Sequence, residues 1–157
     1  MKIKLIFIGK EHAEVFQDAI AQYQNKLKFY NTFEMVAIPY LKNTKNLSIE
    51  EQKKKEGENI LKKIDNSDFV ILMDEMGKEL SSTAFADLIQ QQLNSGIKTL
   101  VFVIGGAYGF SQEVYTRAQR KISLSQMTFP HLLARLIFIE QLYRAFTILH
   151  KEPYHHI

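Results

Sequence analysis

The segment Leu124-Ser125-Gln126-Met127-Thr128-Phe129-Pro130-His131 is polar and turn-prone, and it stands between a brief apolar run and a long apolar helix. A loop of this make-up, late in a small α/β chain, falls where such folds gather ligands, at the carboxyl ends of strands. The run Val103-Ile104-Gly105-Gly106-Ala107-Tyr108-Gly109 adds a glycine turn after a buried strand. Glycine there permits positive φ and close approach of a ligand to the backbone. Taken alone, the turn reads equally as a tight strand-to-helix connection. It is no phosphate loop of the Walker type, because no Gly-Lys-Ser/Thr follows, and the Gly-x-Gly-x-x-Gly spacing of a dinucleotide fold is missing after the first strand. Asp74-Glu75-Met76-Gly77-Lys78 reads as a loop after the third strand. Three such loops at one sheet edge can enclose a cleft for a small ligand with an adenosine-like part.

The remaining chemical groups are fewer. His131 offers an imidazole, although just inside an apolar helix a histidine is more often a hydrogen-bonded structural residue. Arg144 stands four residues after Glu140, the spacing of a helix-face ion pair. The tail Pro153-Tyr154-His155-His156 concentrates aromatic and titratable groups where a plain polar end is usual. No His/Asp/Glu spacing typical of a metal motif accompanies it, and no metal site is expected. Cysteine is absent, which removes thiolate nucleophiles, Cys-based zinc sites and disulfides, and agrees with a reducing compartment.

These groups need a scaffold, and 157 residues suffice for one domain, 1–157, with a core that requires no staples. The opening Met1-Lys2-Ile3-Lys4-Leu5 reads as a first strand and not as a secretory leader, and no apolar run approaches the ~20 residues of a bilayer span. A cytoplasmic protein is expected. A net charge of +3 and a pI of 9.0 permit a polyanionic partner without requiring one. Lys53-Lys54-Lys55 and Lys62-Lys63, interleaved with Glu50, Glu51, Glu56 and Glu58, read as a solvated helix face.

Periodicity predicts strands over 2–9, 34–40, 69–73, 100–104 and 122–124, with helices over 14–28, 49–64 and 130–150, one that follows Ser81 or Ser82 and runs to about Asn94, and a short one after Ser111. Ser48 and Glu51 have the form of a capping box, Ser81 or Ser82 can cap the third helix, and Pro130 suits the first turn of the last. Phe69–Met73 and Leu100–Ile104 are continuous apolar runs, as strands covered on both faces require. The alternation predicts a parallel-sheet α/β fold with helices on both faces. The last helix is apolar nearly all round, more than one sheet face can cover, so a partner subunit is the simplest place to bury the surplus.

The ordered set of motifs resembles the small bacterial ribosomal RNA methyltransferases of the SPOUT, or α/β-knot, class that act on a pseudouridine of the large-subunit RNA, the RlmH type. It comprises Ile8-Gly9-Lys10, Lys55-Glu56-Gly57, Leu72-Met73-Asp74, Gly77-Lys78, Val103 to Gly106 with Gly109, Ser123 to His131, Glu140 to Ala145, and Pro153-Tyr154-His155. The resemblance covers essentially the whole chain. It implies a C-terminal trefoil knot, a symmetric homodimer, and S-adenosyl-L-methionine bound by Leu72, Gly105, Leu124, Ser125, Gln126, Met127, Thr128 and Phe129. The activity it implies is methylation of N3 of a pseudouridine in 23S ribosomal RNA, with large-subunit RNA or the ribosome as partner and no metal. An arginine stays protonated, so Arg144 would position the RNA or stabilise developing negative charge, while Tyr154 and His155 would orient the base or relay its proton. The alternative is a noncatalytic RNA- or ribosome-binding α/β domain that keeps an adenosine pocket. A flavodoxin-like reading is weakened by the missing phosphate loop.

Overall fold

A computed structural model describes residues 1–10 and 15–156. Its strands are β1 (Lys2–Ile8), β2 (Thr32–Ile38), β3 (Phe69–Glu79), β4 (Thr99–Ile104) and β5 (Arg120–Ser123). The helices are α1 (Gln17–Leu27), α2 (Ile49–Leu61), α3 (Ser82–Asn94), α4 (Gln112–Arg117) and α5 (His131–Leu149). All neighbouring strands pair in parallel, in the order β2-β1-β4-β3-β5. The crossovers that parallel pairing demands put helices on both faces.

Side chains alternate along each strand, so the two faces collect separate cores. Ile3, Leu5 and Phe7 of β1 join Leu100 and Phe102 of β4 beneath Leu27, Phe85, Ile89, Phe138, Leu142 and Phe146 from α1, α3 and α5. Ile6 and Ile8 join Val70, Leu72, Val101 and Val103 beneath Ile60, Phe110 and Val114 on the opposite face. The expected two-sided burial of the continuous runs is therefore observed.

Local signals act as read at two helix starts. Ser48 and Glu51 form both bonds of a capping box, and Ser81 accepts from Ala84 N. Ser111 caps α4 without a side-chain bond, and Pro130 is the cap residue of α5 and not part of its first turn. The expected start of the first helix falls partly outside the described residues, and α2 ends at Leu61, short of residue 64.

The largest difference is in β3. Residues 74–78 were expected as a loop, but the strand continues to Glu79, with Met73 and Lys78 both paired to Ile122 and the intervening residues bulged out of register. Gly77 makes this possible, because a Cβ there would lie 2.6 Å from the Ile122 carbonyl carbon. The backbones can close up only without a side chain. β5 also begins earlier than expected, at Arg120, since Ile71 and Leu72 pair with Arg120 and Lys121.

The apolar surplus of α5 is half covered within the chain. Phe138, Ile139, Leu142, Ala145 and Phe146 are buried, while Leu132, Leu133, Leu136 and Ile137 are half-buried. Among the described residues no helix is long and apolar enough to cross a membrane.

Candidate active site

A cleft of about 550 Å³ opens at the carboxyl edge of β4, β3 and β5, within the size range of small-molecule sites. Its walls are the β3 bulge from Met73 to Met76, the glycine turn from Gly105 to Phe110, the loop after β5 and the start of α5. Each wall is held by a local bond. Asp74 Oδ1 accepts from Met76 N at 2.8 Å, and its Oδ2 accepts a hydrogen bond from the Tyr115 hydroxyl. Ser125 Oγ accepts from Met127 N at 3.0 Å, while Ser123 Oγ donates to the Ser125 carbonyl at 2.8 Å. Thr128 Oγ1 donates to Glu75 at 3.2 Å and ties the β5 loop to the bulge. Burial, and then the Asp74 carboxylate, push the Tyr115 phenol up to about 12, so it remains a proton donor.

Of the residues expected to bind a cofactor, Gly105, Leu124, Ser125, Met127, Thr128 and Phe129 line the cleft. Gln126 does not, and Leu72 is fully buried in the core beneath, with only its neighbour Met73 reaching the cleft. The reason offered for the glycines also changes. Of the three turn glycines only Gly109 takes positive φ, at 82°, and it donates its N–H to the Gly106 carbonyl at 3.2 Å. A Cβ on Gly105 would come 2.9 Å from the ring of Phe110, which is itself buried. That glycine admits a core side chain of the protein.

The cleft combines apolar walls with polar backbone edges. Ile104, Leu124, Met127 and Phe129 offer apolar surface, and the turns offer backbone polar groups with Ser125 and Thr128. Met76, Tyr108 and Met127 leave apolar surface exposed at its mouth, Met76 at 84 %. Among the described residues no group of three His, Cys, Asp or Glu side chains is placed to hold a metal ion.

Sequence reasoning missed Glu56. Read as part of a solvated face, it is only 5 % exposed and sits against Gly106 of the turn. Burial raises its carboxyl, opposed by the Gln52 hydrogen bond and the charge of His131, which lines the cleft. The available signal was Gly57, a helix-weakening residue beside it in the middle of α2.

Arg144, Tyr154 and His155 come together at the other end of α5. Glu140 accepts from both Arg144 Nε, at 3.0 Å, and Arg144 Nη2, so the ion pair foreseen from the spacing is formed. Tyr154 donates to the same carboxylate at 3.1 Å and lies under the guanidinium, with Arg144 Cζ 4.7 Å from the ring centroid. Arg144 Nη1 meets His155 Nδ1 at 3.3 Å, and Tyr23 meets Tyr154 hydroxyl to hydroxyl at 3.2 Å. Burial, followed by the bonds to Tyr23 and Glu140, pushes the Tyr154 phenol upward. It too is a donor and not a base. Arg144 follows His131 by more than three turns of one helix, about 20 Å along the axis. The cleft and this cluster are therefore separate within one chain.

Comparison with known proteins gives the family. A family described as "Predicted SPOUT methyltransferase" matches residues 1–155. Proteins named ribosomal RNA large subunit methyltransferase H are similar over their whole length. Those of Christiangramia forsetii, Flavobacterium psychrophilum and Parabacteroides distasonis are 57%, 59% and 55% identical over 156 residues, 99% of each chain. With its sheet, cleft and C-terminal helix all inside the matched span, the chain belongs to the SPOUT methyltransferase family.

Proposed function

We propose that this protein transfers a methyl group from S-adenosyl-L-methionine to N3 of a pseudouridine in large-subunit ribosomal RNA, and does so as a homodimer. The name carried by its relatives supports the RNA class. The apolar, backbone-edged cleft supports the donor: Gly105 and the loop from Leu124 to Phe129 would hold the adenosyl part, with Leu72 supporting the floor from the core. S-adenosyl-L-methionine supplies a methyl group already activated on a sulfonium, so the protein is left with alignment and with the N3 proton. Tyr154, its hydroxyl held by Glu140 and Tyr23, orients the base. Arg144 stabilises the negative charge that develops on the ring as the proton leaves, and His155, in contact with the guanidinium, relays that proton.

One observation carries the dimer. Transfer requires reacting atoms about 3–3.5 Å apart, whereas Arg144 stands about 15 Å along α5 from Ala134, the last residue of that helix to line the cleft of its own chain. A second copy that lays its Arg144–Tyr154–His155 cluster over the cleft removes the conflict, and each site becomes composite. The exposed Met76, Tyr108 and Met127 at the mouth are then covered by RNA and the partner. The same reading includes the trefoil knot, in which the C-terminal part is threaded through a preceding loop. The test is mass spectrometry of ribosomal RNA from cells with and without the gene. Loss of the methylated pseudouridine is expected, and an unchanged level refutes the assignment.

A further inference from the structure

Among the described residues Glu56 Oε2 is buried and has no hydrogen-bond partner, and Oε1 receives only Gln52 Nε2, at 3.3 Å. His131 across the cleft acts on it through charge but makes no hydrogen bond to it, and a carboxyl stranded in this way destabilises a fold unless a positive group answers it. Two glycines nevertheless bring it to its position. Gly57 weakens α2, yet a Cβ there would come 2.4 Å from Ser111 Oγ, so the glycine seats the helix against the start of α4. Gly106 has no positive φ, yet a Cβ on it would come 2.3 Å from Glu56 Oε2. Gly106 is thus glycine for the room it gives the carboxyl, and it also lines the cleft. A charge on Glu56 is one backbone thickness from whatever lies against that turn, and screening there is weaker than in water.

We propose that Glu56 is the counter-anion of the cleft, set behind Gly106 to offset the cationic part of the bound methyl donor and so to position it. This rests on the reading of the cleft as a methyl-donor site. S-adenosyl-L-methionine carries two cationic groups, a sulfonium and an ammonium; S-adenosylhomocysteine keeps only the ammonium; 5′-methylthioadenosine has neither. Calorimetry with these three on the full-length protein reads the role directly. Glu56→Gln, with its melting curve recorded, is expected to weaken S-adenosyl-L-methionine about tenfold and methylthioadenosine less than about twofold. Glu56→Asp, which keeps the charge, recovers most of the difference.

S-adenosylhomocysteine identifies the cation: unchanged affinity assigns the sulfonium, and a loss equal to that of the donor assigns the ammonium. If Glu56→Gln does not fold, Gly106→Ala pushes the carboxyl aside and is read by the same ratio of donor to methylthioadenosine. Equal loss for all three ligands means a merely structural role and overturns the proposal, as does unchanged donor affinity. A wild-type protein that binds none of the three overturns the methyl-donor reading, and the proposal with it. Binding by the wild type with no charge-selective effect overturns the proposal alone.

Discussion

Leu124→Arg puts a long cation into the cleft of one chain, and Arg144→Ala removes the guanidinium from the tail cluster of another. Each variant alone is expected to be nearly inactive as a homodimer. In a mixed dimer with composite sites, one site combines both defects and the other combines the intact cleft of the Arg144→Ala chain with the intact cluster of the Leu124→Arg chain. Random exchange at equal amounts makes half the dimers mixed, each with one good site of two, so activity returns to about a quarter of wild type. The separation of about 15 Å along one helix between Ala134 of the cleft and Arg144 of the cluster underlies this expectation. Because Arg144 contacts Tyr154 and His155 of its own chain, a mixture of Arg144→Ala with a chain lacking residues 153–157 repairs neither site and stays inactive. The assay is methyl transfer to ribosomal RNA after subunit exchange verified by mass. No recovery in the first mixture, with exchange complete, refutes the composite site. Recovery in the second refutes the cluster as one unit.

Glu140→Gln, which loosens the Arg144 pair and the Tyr154 bond, is expected to lower stability by about 1 kcal/mol and Tm by about 3 °C, with a larger fall in methyl transfer than in donor affinity. Unchanged turnover would exclude Glu140 from organising the tail. Gly57→Ala would ordinarily strengthen a helix by about 1 kcal/mol, but the 2.4 Å approach to Ser111 Oγ reverses the sign. Urea unfolding is expected to show a net loss of about 1–3 kcal/mol, and a gain would mean that α4 yields freely. The Tyr115 phenol is raised from 10.0 to about 12, so the unfolded chain ionises first as pH rises. Its contribution is full below pH 10 and is lost between 10 and 12; Tyr115→Phe should flatten that part of the stability profile, and an unaltered slope would disprove the linkage.

The sequence alone determined what local chemistry and short periods encode. Ser48 and Glu51 can cap only a helix that starts between them, and the runs Phe69–Met73 and Leu100–Ile104 can be satisfied only between two apolar layers. The Leu124–Phe129 loop and the glycine turn were legible as cleft walls for the same reason, since loops after parallel strands share one edge. Contacts between distant segments were not legible. Residues 74–78 read as a loop because a bulge spoils the period, and only the approach of Ile122 to Gly77 reveals a strand that resumes. Glu56 looked solvated because its neighbours are charged, while the turn that buries it lies fifty residues away in the chain. Gly105 reads as room for a ligand until Phe110 is seen against it. The separation of Arg144 from the cleft was fixed by tertiary structure in turn, because helix length becomes a distance only once one end of α5 is docked at the sheet edge.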